Sequence, residues 1–575
     1  MTTRQQAITA LTGPGQTYEL VDEQVQGRTL RVFLRAPGSL RAVFEATASD
    51  LPFLTYQEEH LSFAQAWAAA SRIGHVLVHD CGVVKGDRVA ISMRNYPEWV
   101  LAFTAITSIG AVAVAMNAHW QTEEMVYGLT HSGARVLFAD QERLSRLPAD
   151  LAGLQVLAVR PTLALAHGVR LLKTLTDALG AVAMPPVEIA QDDAATILYT
   201  SGSTGHPKGV VSSHRNILAA LLSWELDRAI GETVAGIVPT LPGGPVLEQP
   251  GTLLAVPLFH VTGLHASYLS GYRYQRRMVC MYRWDPQAAA ALIEAERLTS
   301  MVAPAAMSGD LVRVAQSHQH DLSSLLLLGG GGAPRAPEQV GQIAASFPNA
   351  MPGTGWGMTE TNAIGAGISG QDYLDRPASS GRCPQVLQLK IIDEAGDELP
   401  TGQRGELLVR GTSVFSGYWN LPEVTAQSFV GDWFRTGDVA YLDEEGFVFI
   451  VDRIKDLIIR GGENIGCGHV EAALQLHPEV HEAAVYAVPD ERMGEEVGAT
   501  VYGSDALDLA ALREFLTAHL ARFEIPRHIL LSAGPLPRTG SGKIFKREIK
   551  LAALAEIHRA TPTGDAARAG AVAGS

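Results

Sequence analysis

Cysteine is scarce in this chain: Cys81, Cys280, Cys383 and Cys467 are the four among 575 residues, and no two form a Cys-x-x-Cys pair. A disulfide framework and a zinc ribbon are therefore excluded, and a reducing cytoplasm is the expected compartment. Positive charge is in deficit. With 45 Lys and Arg against 60 Asp and Glu, the net charge of -15 repels nucleic-acid phosphates and anionic membrane surfaces, so neither is expected as a main partner. Charged residues make up only 18% and hydrophobic ones 47%, which excludes a disordered or fibrous chain. A secretory apolar region is missing from residues 1–28, which are polar. Residues 99–121 carry no formal charge and reach the roughly 20 residues that span a bilayer. Thr104, Thr107, Ser108 and Gly110 interrupt them, so the reading is a helix over about 97–109, ended by Gly110, and a buried strand over 111–116. A Walker loop is absent too, because Gly-x4-Gly-Lys-Ser/Thr fails in every register, including the one around Lys543.

What is present is a different phosphate-handling loop. Thr200-Ser201-Gly202-Ser203-Thr204-Gly205-His206-Pro207-Lys208-Gly209 follows an apolar run over 194–199. Glycine lets backbone approach a ligand, hydroxyls and amides donate to phosphate oxygens, and Lys208 adds positive charge.

At 575 residues the chain exceeds what one core supports, and two to four lobes are expected. Short apolar runs at 89–92, 112–115 and 135–138 alternate with helix-length amphipathic stretches, the pattern of βα units around a largely parallel sheet. After Gly381, strands over 387–393, 405–410 and 446–452 are separated by Gly, Pro and acidic turns, which reads as a small β subdomain. From Asp456 a strand at 457–459, a helix over 469–476, a strand over 483–488 and a helix over 507–521 read as a small α+β domain. The Ala/Gly-rich end reads as a disordered tail. The expected division is 1–453, including the β subdomain at about 381–453, then 454–558, then a tail at 559–575.

Four further blocks carry chemistry. Gly353-Thr354-Gly355-Trp356-Gly357-Met358-Thr359-Glu360-Thr361 sets a planar aromatic, a hydroxyl and a carboxylate close together. A carboxylate is a hard oxygen ligand suited to Mg²⁺, which travels with nucleotide phosphates. Trp433 to Asp438 places a carboxylate after a Thr-Gly turn, where it can accept from ribose hydroxyls. Val451-Asp452-Arg453-Ile454-Lys455-Asp456 follows a predicted strand, and Pro537-Arg538-Thr539-Gly540-Ser541-Gly542-Lys543 puts one lysine on a loop.

These blocks, in this order and at these separations, resemble the adenylate-forming superfamily of acyl-CoA synthetases, nonribosomal adenylation domains and beetle luciferases, over roughly residues 30–551. The resemblance implies an α/β fold: a large N-terminal domain of doubly wound sheets with a small β subdomain, and a mobile C-terminal α+β domain. It implies ATP, Mg²⁺ and CoA as cofactors, with a small-molecule carboxylic acid as substrate. By the same resemblance, Thr200, Ser201, Gly202, Ser203, Thr204 and Lys208 wrap the β- and γ-phosphates. Thr204 and Glu360 hold Mg²⁺. Gly331, Gly332 and Ala333 border adenine and the acyl pocket, Gly355, Trp356 and Gly357 form the adenine side, and Thr359 bonds near the α-phosphate. Asp438 and Arg453 take the ribose. Lys543 bridges the carboxylate and the α-phosphate, Lys455 is the hinge, and Gly461, Gly462 and Glu463 present the pantetheine passage. His260, in Pro257-Leu258-Phe259-His260, stands at the junction of acyl pocket and tunnel.

The chain departs from the family pattern at Gly466 and at His469, where an acid is usual; both lie on the thioesterification face. Cys467 has no base beside it in sequence and reads as a buried or loop thiol. The expected function is an acid:CoA ligase for an apolar fatty or aryl acid. The alternatives are an acyl-AMP ligase that loads a carrier protein and a catalytically dead nucleotide-binding homologue. His260 stands where amino acid-activating members often carry Asp, and burying a substrate ammonium unpaired is costly, which counts against an amino acid substrate. A homodimer is the default assembly.

Overall fold

The computed structural model describes residues 2–148, 153–200, 206–242, 248–332, 335–461, 463–539 and 543–560. Four sheets are present among them. The first has eight strands in the order Gly417–Tyr418, Lys208–Ser213, Ala194–Thr200, Val112–Ala115, Arg88–Ser92, Val136–Asp140, Gln155–Val159 and Val169–Leu171. From Ala194–Thr200 to Val169–Leu171 every pairing is parallel. At the other edge Lys208–Ser213 runs antiparallel to Ala194–Thr200, as it must when two neighbouring strands are joined by a short loop.

The second sheet has fourteen strands. Its parallel part brings Gly251–Leu254, Ser300–Ala303, Leu327–Gly330 and Met351–Trp356 side by side, so their carboxyl ends open on one crevice, where open α/β sheets bind ligands. The expected β subdomain is not a sheet of its own. Gly381–Arg382 pairs with both Ala366–Ser369 and Phe447–Arg453, so Leu387–Ile392, Gly405–Gly411, Trp433–Leu442 and Phe447–Arg453 continue the second sheet antiparallel. The two-residue strand responsible is too short to be seen in a periodicity.

Residues 99–121 fold as read. Pro97 opens the helix Pro97–Ser108, whose missing N–H costs nothing in the first turn; Gly110 at φ 72° ends it, and the strand Val112–Ala115 follows. The helix is buried on every side, and one hydrophobic cluster joins Trp99, Val100 and Ile106 to Leu198, Leu254, Phe259 and Val409. A helix apolar all round belongs inside such a core. No described helix is long and apolar enough to cross a membrane.

The C-terminal part has its own sheet, in which Leu457–Arg460, Glu463–Gly466, Val480–Asp490, Gly494–Gly503 and His528–Leu531 take part. It also has its own core, with Ile458, Val470, Val485, Val501 and Leu512 buried together. The helix expected over 507–521 is shorter, Leu509–Leu516, because the Asp508 carboxylate accepts from the N–H groups of Ala510 and Ala511 and fixes the start. A last helix, Lys546–Ala560, takes in the first two positions of the expected tail. The rest of the tail lies outside the described residues.

Candidate active site

Five chain segments converge at the crevice. The phosphate loop leaves Thr200 and returns at Lys208, which pair across the antiparallel strands. Ser201, Gly202, Ser203 and Thr204, with Gly205, lie outside the described residues, as do Ala333 and Gly462 and the side chain of Lys455. Beyond Lys208–Ser213 the next strand is Gly417–Tyr418, and this pairing lays the Tyr418 ring 5.1 Å under the Lys208 ammonium.

Glu360 sits in the single turn Thr359–Thr361, just beyond the strand Met351–Trp356. The turn is closed by Asn362 in a left-handed conformation, φ 57°, whose Nδ2 donates to the Ser413 carbonyl at 2.8 Å. Gly357 is needed here, since a Cβ on it would lie 2.5 Å from the Ala363 carbonyl. The Glu360 carbonyl accepts from Phe415 N–H, and its side chain accepts from Tyr418 Oη–H at 2.8 Å. Glu360 is only 7% exposed. Burial raises its pKa, and the Tyr418 hydroxyl, Arg453 and Lys208 oppose that rise.

A second carboxylate stands nearby. Asp438 and Arg453 are cross-strand neighbours on Trp433–Leu442 and Phe447–Arg453, and Arg453 Nε lies 3.3 Å from Asp438 Oδ1. Trp356 Nε1 donates to Asp438 Oδ2 at 2.8 Å. Asp438 is buried and Arg453 half-exposed, so the guanidinium reaches in from solvent. Burial raises the Asp438 pKa, with Arg453 and Trp356 pulling it back.

Lys543 closes the site from the C-terminal unit. Its hairpin is braced by Thr539 N–H donating to the Lys543 carbonyl and Phe545 N–H donating to the Pro537 carbonyl. Gly332, whose φ of 78° favours glycine, lies against it: the Lys543 side chain is in ordinary contact distance of that position. Lys543 is exposed as a residue, but desolvation of its ammonium pulls the pKa down to about 8, Arg453 pushes the same way, and Asp438 opposes. Gly331 lies by Thr262 and Gly355. His260 starts the turn into the π-helical segment Thr262–Leu269. Its Nε2 is buried with no hydrogen-bond partner among the described atoms, and burial, with Lys543 adding, drops the ring pKa to about 3. His260 is thus a neutral imidazole.

Gly461 and Glu463 are elsewhere, at the turn between Leu457–Arg460 and Glu463–Gly466, where Gly461 N–H donates to the Met493 carbonyl. Near them Gly468 N–H donates to Asp452 Oδ2 at 2.9 Å, and His469 is exposed, 3.8 Å from Glu524. Cys467 is buried and its thiol donates to the Asp456 carbonyl, while burial pushes its pKa up, which disfavours the thiolate.

Two residues of the site escaped sequence reasoning. Asn95 is buried; its Nδ2 donates to the carbonyls of Leu254 and Val256, and its Oδ1 accepts from Leu258 N–H, so it fixes the bend that leads to His260. Tyr418 orients Glu360. The one signal for Asn95 was a polar residue between an apolar run and a helix-opening proline; Tyr418 had none. Removing the hydroxyl that holds a metal-binding carboxylate typically weakens metal affinity about 10–100-fold. If Glu360 holds Mg²⁺, Tyr418→Phe should therefore raise the half-saturating Mg²⁺ concentration at least about tenfold. An unchanged Mg²⁺ titration would leave Tyr418 with a packing role only.

Residues 41–419 match the model of the AMP-binding enzyme family, and residues 469–543 match that of the AMP-binding enzyme C-terminal domain. The chain belongs to the AMP-binding enzyme family. Among its relatives is a 2-succinylbenzoate–CoA ligase of Geobacillus kaustophilus, 34% identical over 85% of this chain and 92% of the relative. Another is the long-chain-fatty-acid–CoA ligase FadD13 of Mycobacterium tuberculosis, 31% identical over 85% and 92%. The structure of O-succinylbenzoate Coenzyme A synthetase from Bacillus subtilis in complex with ATP and magnesium ion is similar to this one. Its TM-score is 0.73 at 27% identity, over 88% of this chain and 98% of that one. Family membership accounts for the α/β architecture with a small C-terminal unit.

Proposed function

We propose that the protein is an ATP- and Mg²⁺-dependent carboxylic acid:CoA ligase acting on an apolar acid, fatty or aryl. Lys543 carries this reading. Its side chain lies against Gly332, with Asp438 and Arg453 acting on its charge, and the pKa is drawn down to about 8, so the ammonium stands in the crevice as a donor for an incoming anion. The α-phosphate of ATP and the substrate carboxylate supply that anion together.

In the first half-reaction a carboxylate oxygen attacks the α-phosphorus in line, the bond to the β-phosphate oxygen breaks, and pyrophosphate leaves with acyl-AMP behind. Lys543 donates to the charge that builds on the α-phosphoryl oxygens, Asp438 and Arg453 hold the ribose, and Thr200 to Lys208 enclose the outer phosphates. Mg²⁺, when bound, neutralises phosphate charge. Glu360 fits that ion. It is a buried hard-oxygen donor with a fixed orientation, and no cluster of three or more His, Cys, Asp or Glu able to hold a metal occurs among the described residues, which suits an ion that keeps waters and phosphates as its other ligands. Thr204 would be its second protein ligand. In the second half-reaction the CoA thiol sulfur attacks the acyl carbonyl, loses its proton, and AMP leaves. For that step the C-terminal unit turns at Lys455, which withdraws Lys543 and brings Gly461, Gly462 and Glu463 to the passage past His260. The apolar substrate class is supported by the relatives, a 2-succinylbenzoate–CoA ligase and a long-chain-fatty-acid–CoA ligase.

Purified protein given ATP, Mg²⁺ and a pool of fatty and aryl acids should yield acyl-AMP and pyrophosphate without CoA, and acyl-CoA with it, when products are read by mass spectrometry. Acyl-AMP that persists in the presence of CoA would transfer the reading to a carrier-protein acceptor. Failure to cleave ATP with any acid would refute it.

A further inference from the structure

We infer that Trp356 governs ribose selectivity, because its indole N–H locks the Asp438 carboxylate in the orientation that accepts from the two ribose hydroxyls. The inference rests on Asp438 being the ribose-binding carboxylate. The Asp438 backbone is fixed first: its N–H donates to Thr436 Oγ1 at 3.1 Å, and that hydroxyl donates to the Leu407 carbonyl at 2.7 Å. The side chain is fixed next, from both ends. Trp356 Nε1–H occupies one lone pair of Oδ2 at 2.8 Å, and Arg453 faces Oδ1 at 3.3 Å. Each carboxylate oxygen accepts more than one hydrogen bond, so each keeps a site for one ribose hydroxyl.

The two protein donors are unequal. Arg453 is half-exposed, so water competes for its pairing with Asp438, whereas the indole is held in place. Trp356 pairs with Ala366 across an antiparallel ladder, and its ring packs against Gly365, where a Cβ would come 2.3 Å from Cζ3 and 2.4 Å from Cε3. Any aromatic at position 356 offers a flat face to adenine. Among Phe, Tyr and Trp, only Trp carries a ring N–H, and that N–H meets Oδ2. Trp356 is thereby a positioning residue that couples the base side of the nucleotide site to its sugar side.

The test compares ATP with 2′-deoxy-ATP in pyrophosphate release by the full chain, for wild type, Trp356→Phe and Trp356→Tyr. Both variants keep an aromatic face and lose the N–H. A hydrogen bond to a charged group is worth roughly a tenfold change or more. KM for ATP should accordingly rise about tenfold with kcat retained, and the preference for ATP over 2′-deoxy-ATP should shrink by a similar factor. The acidic limb of kcat/KM for ATP should also move to higher pH, since the lost donor favoured the ionised carboxylate. Variants that keep the wild-type nucleotide preference, whatever happens to their melting temperature or to KM for the acid, would overturn the inference. A wild-type enzyme that makes acyl-AMP with no preference for ATP over 2′-deoxy-ATP would remove Asp438 from the ribose, and the inference with it, while leaving the ligase reading intact.

Discussion

Lys543→Ala should lower acyl-adenylate formation on the order of a hundred- to a thousandfold, the usual cost of deleting one preorganised donor to developing charge. Conversion of chemically made acyl-AMP and CoA to acyl-CoA should change little if, as proposed, Lys543 serves the first half-reaction alone. The difference between the two assays is the signature: a variant that loses both equally has lost its fold or its hinge. A pH dependence follows from the desolvation of the Lys543 ammonium. In the free enzyme the Lys543 pKa is pulled down to about 8, and the protonated form does the work. Adenylation measured as kcat/KM for ATP should therefore fall as pH rises through about 8. Bound phosphates favour the cation, so the limb seen in kcat should lie at higher pH. Lys543→Arg should lose the basic limb, since a guanidinium stays charged, but should recover only part of the rate, because its planar fork replaces a compact ammonium.

Glu360→Gln is the second large effect. The amide oxygen still accepts from Tyr418, so the turn Thr359–Thr361 keeps its shape while the negative charge goes. Loss of a charged ligand to Mg²⁺ should lower adenylation about a hundredfold or more at millimolar Mg²⁺, with partial recovery as Mg²⁺ is raised. Isothermal titration of Mg²⁺ with ATP present would show the weakened site directly. A Glu360→Gln enzyme with the Mg²⁺ dependence of the wild type would take Glu360 out of the metal site.

The helix Pro97–Ser108, the strand Val112–Ala115 and the chain's division into a large α/β part and a small α+β part could be read in the sequence because each is set locally, by a proline, a glycine or an apolar run. Thr200, Lys208, Trp356, Glu360, Asp438, Arg453 and Lys543 could be named because their blocks have a recognisable order, and the fold does bring Lys208, Trp356, Glu360, Asp438, Arg453 and Lys543 into one neighbourhood. What stayed hidden depends on long-range pairing. Tyr418 becomes the partner of Glu360 only because Gly417–Tyr418 adds to the edge of the phosphate-loop hairpin, more than 200 residues away in the chain. Asn95 is 159 residues from Leu254, whose carbonyl it binds. The continuation of the second sheet hangs on Gly381–Arg382, a strand with no periodicity to read. Chemistry concentrated in short blocks is legible in one sequence; the groups that orient it are scattered by the fold.

Attack by a carboxylate oxygen on the α-phosphorus of ATP can be followed with a substrate acid carrying ¹⁸O in both carboxylate oxygens, by mass spectrometry of the products after one complete turnover with ATP, Mg²⁺ and CoA. Such attack leaves one ¹⁸O in AMP and none in pyrophosphate. Label in the pyrophosphate or in inorganic phosphate, or AMP free of label, would contradict it.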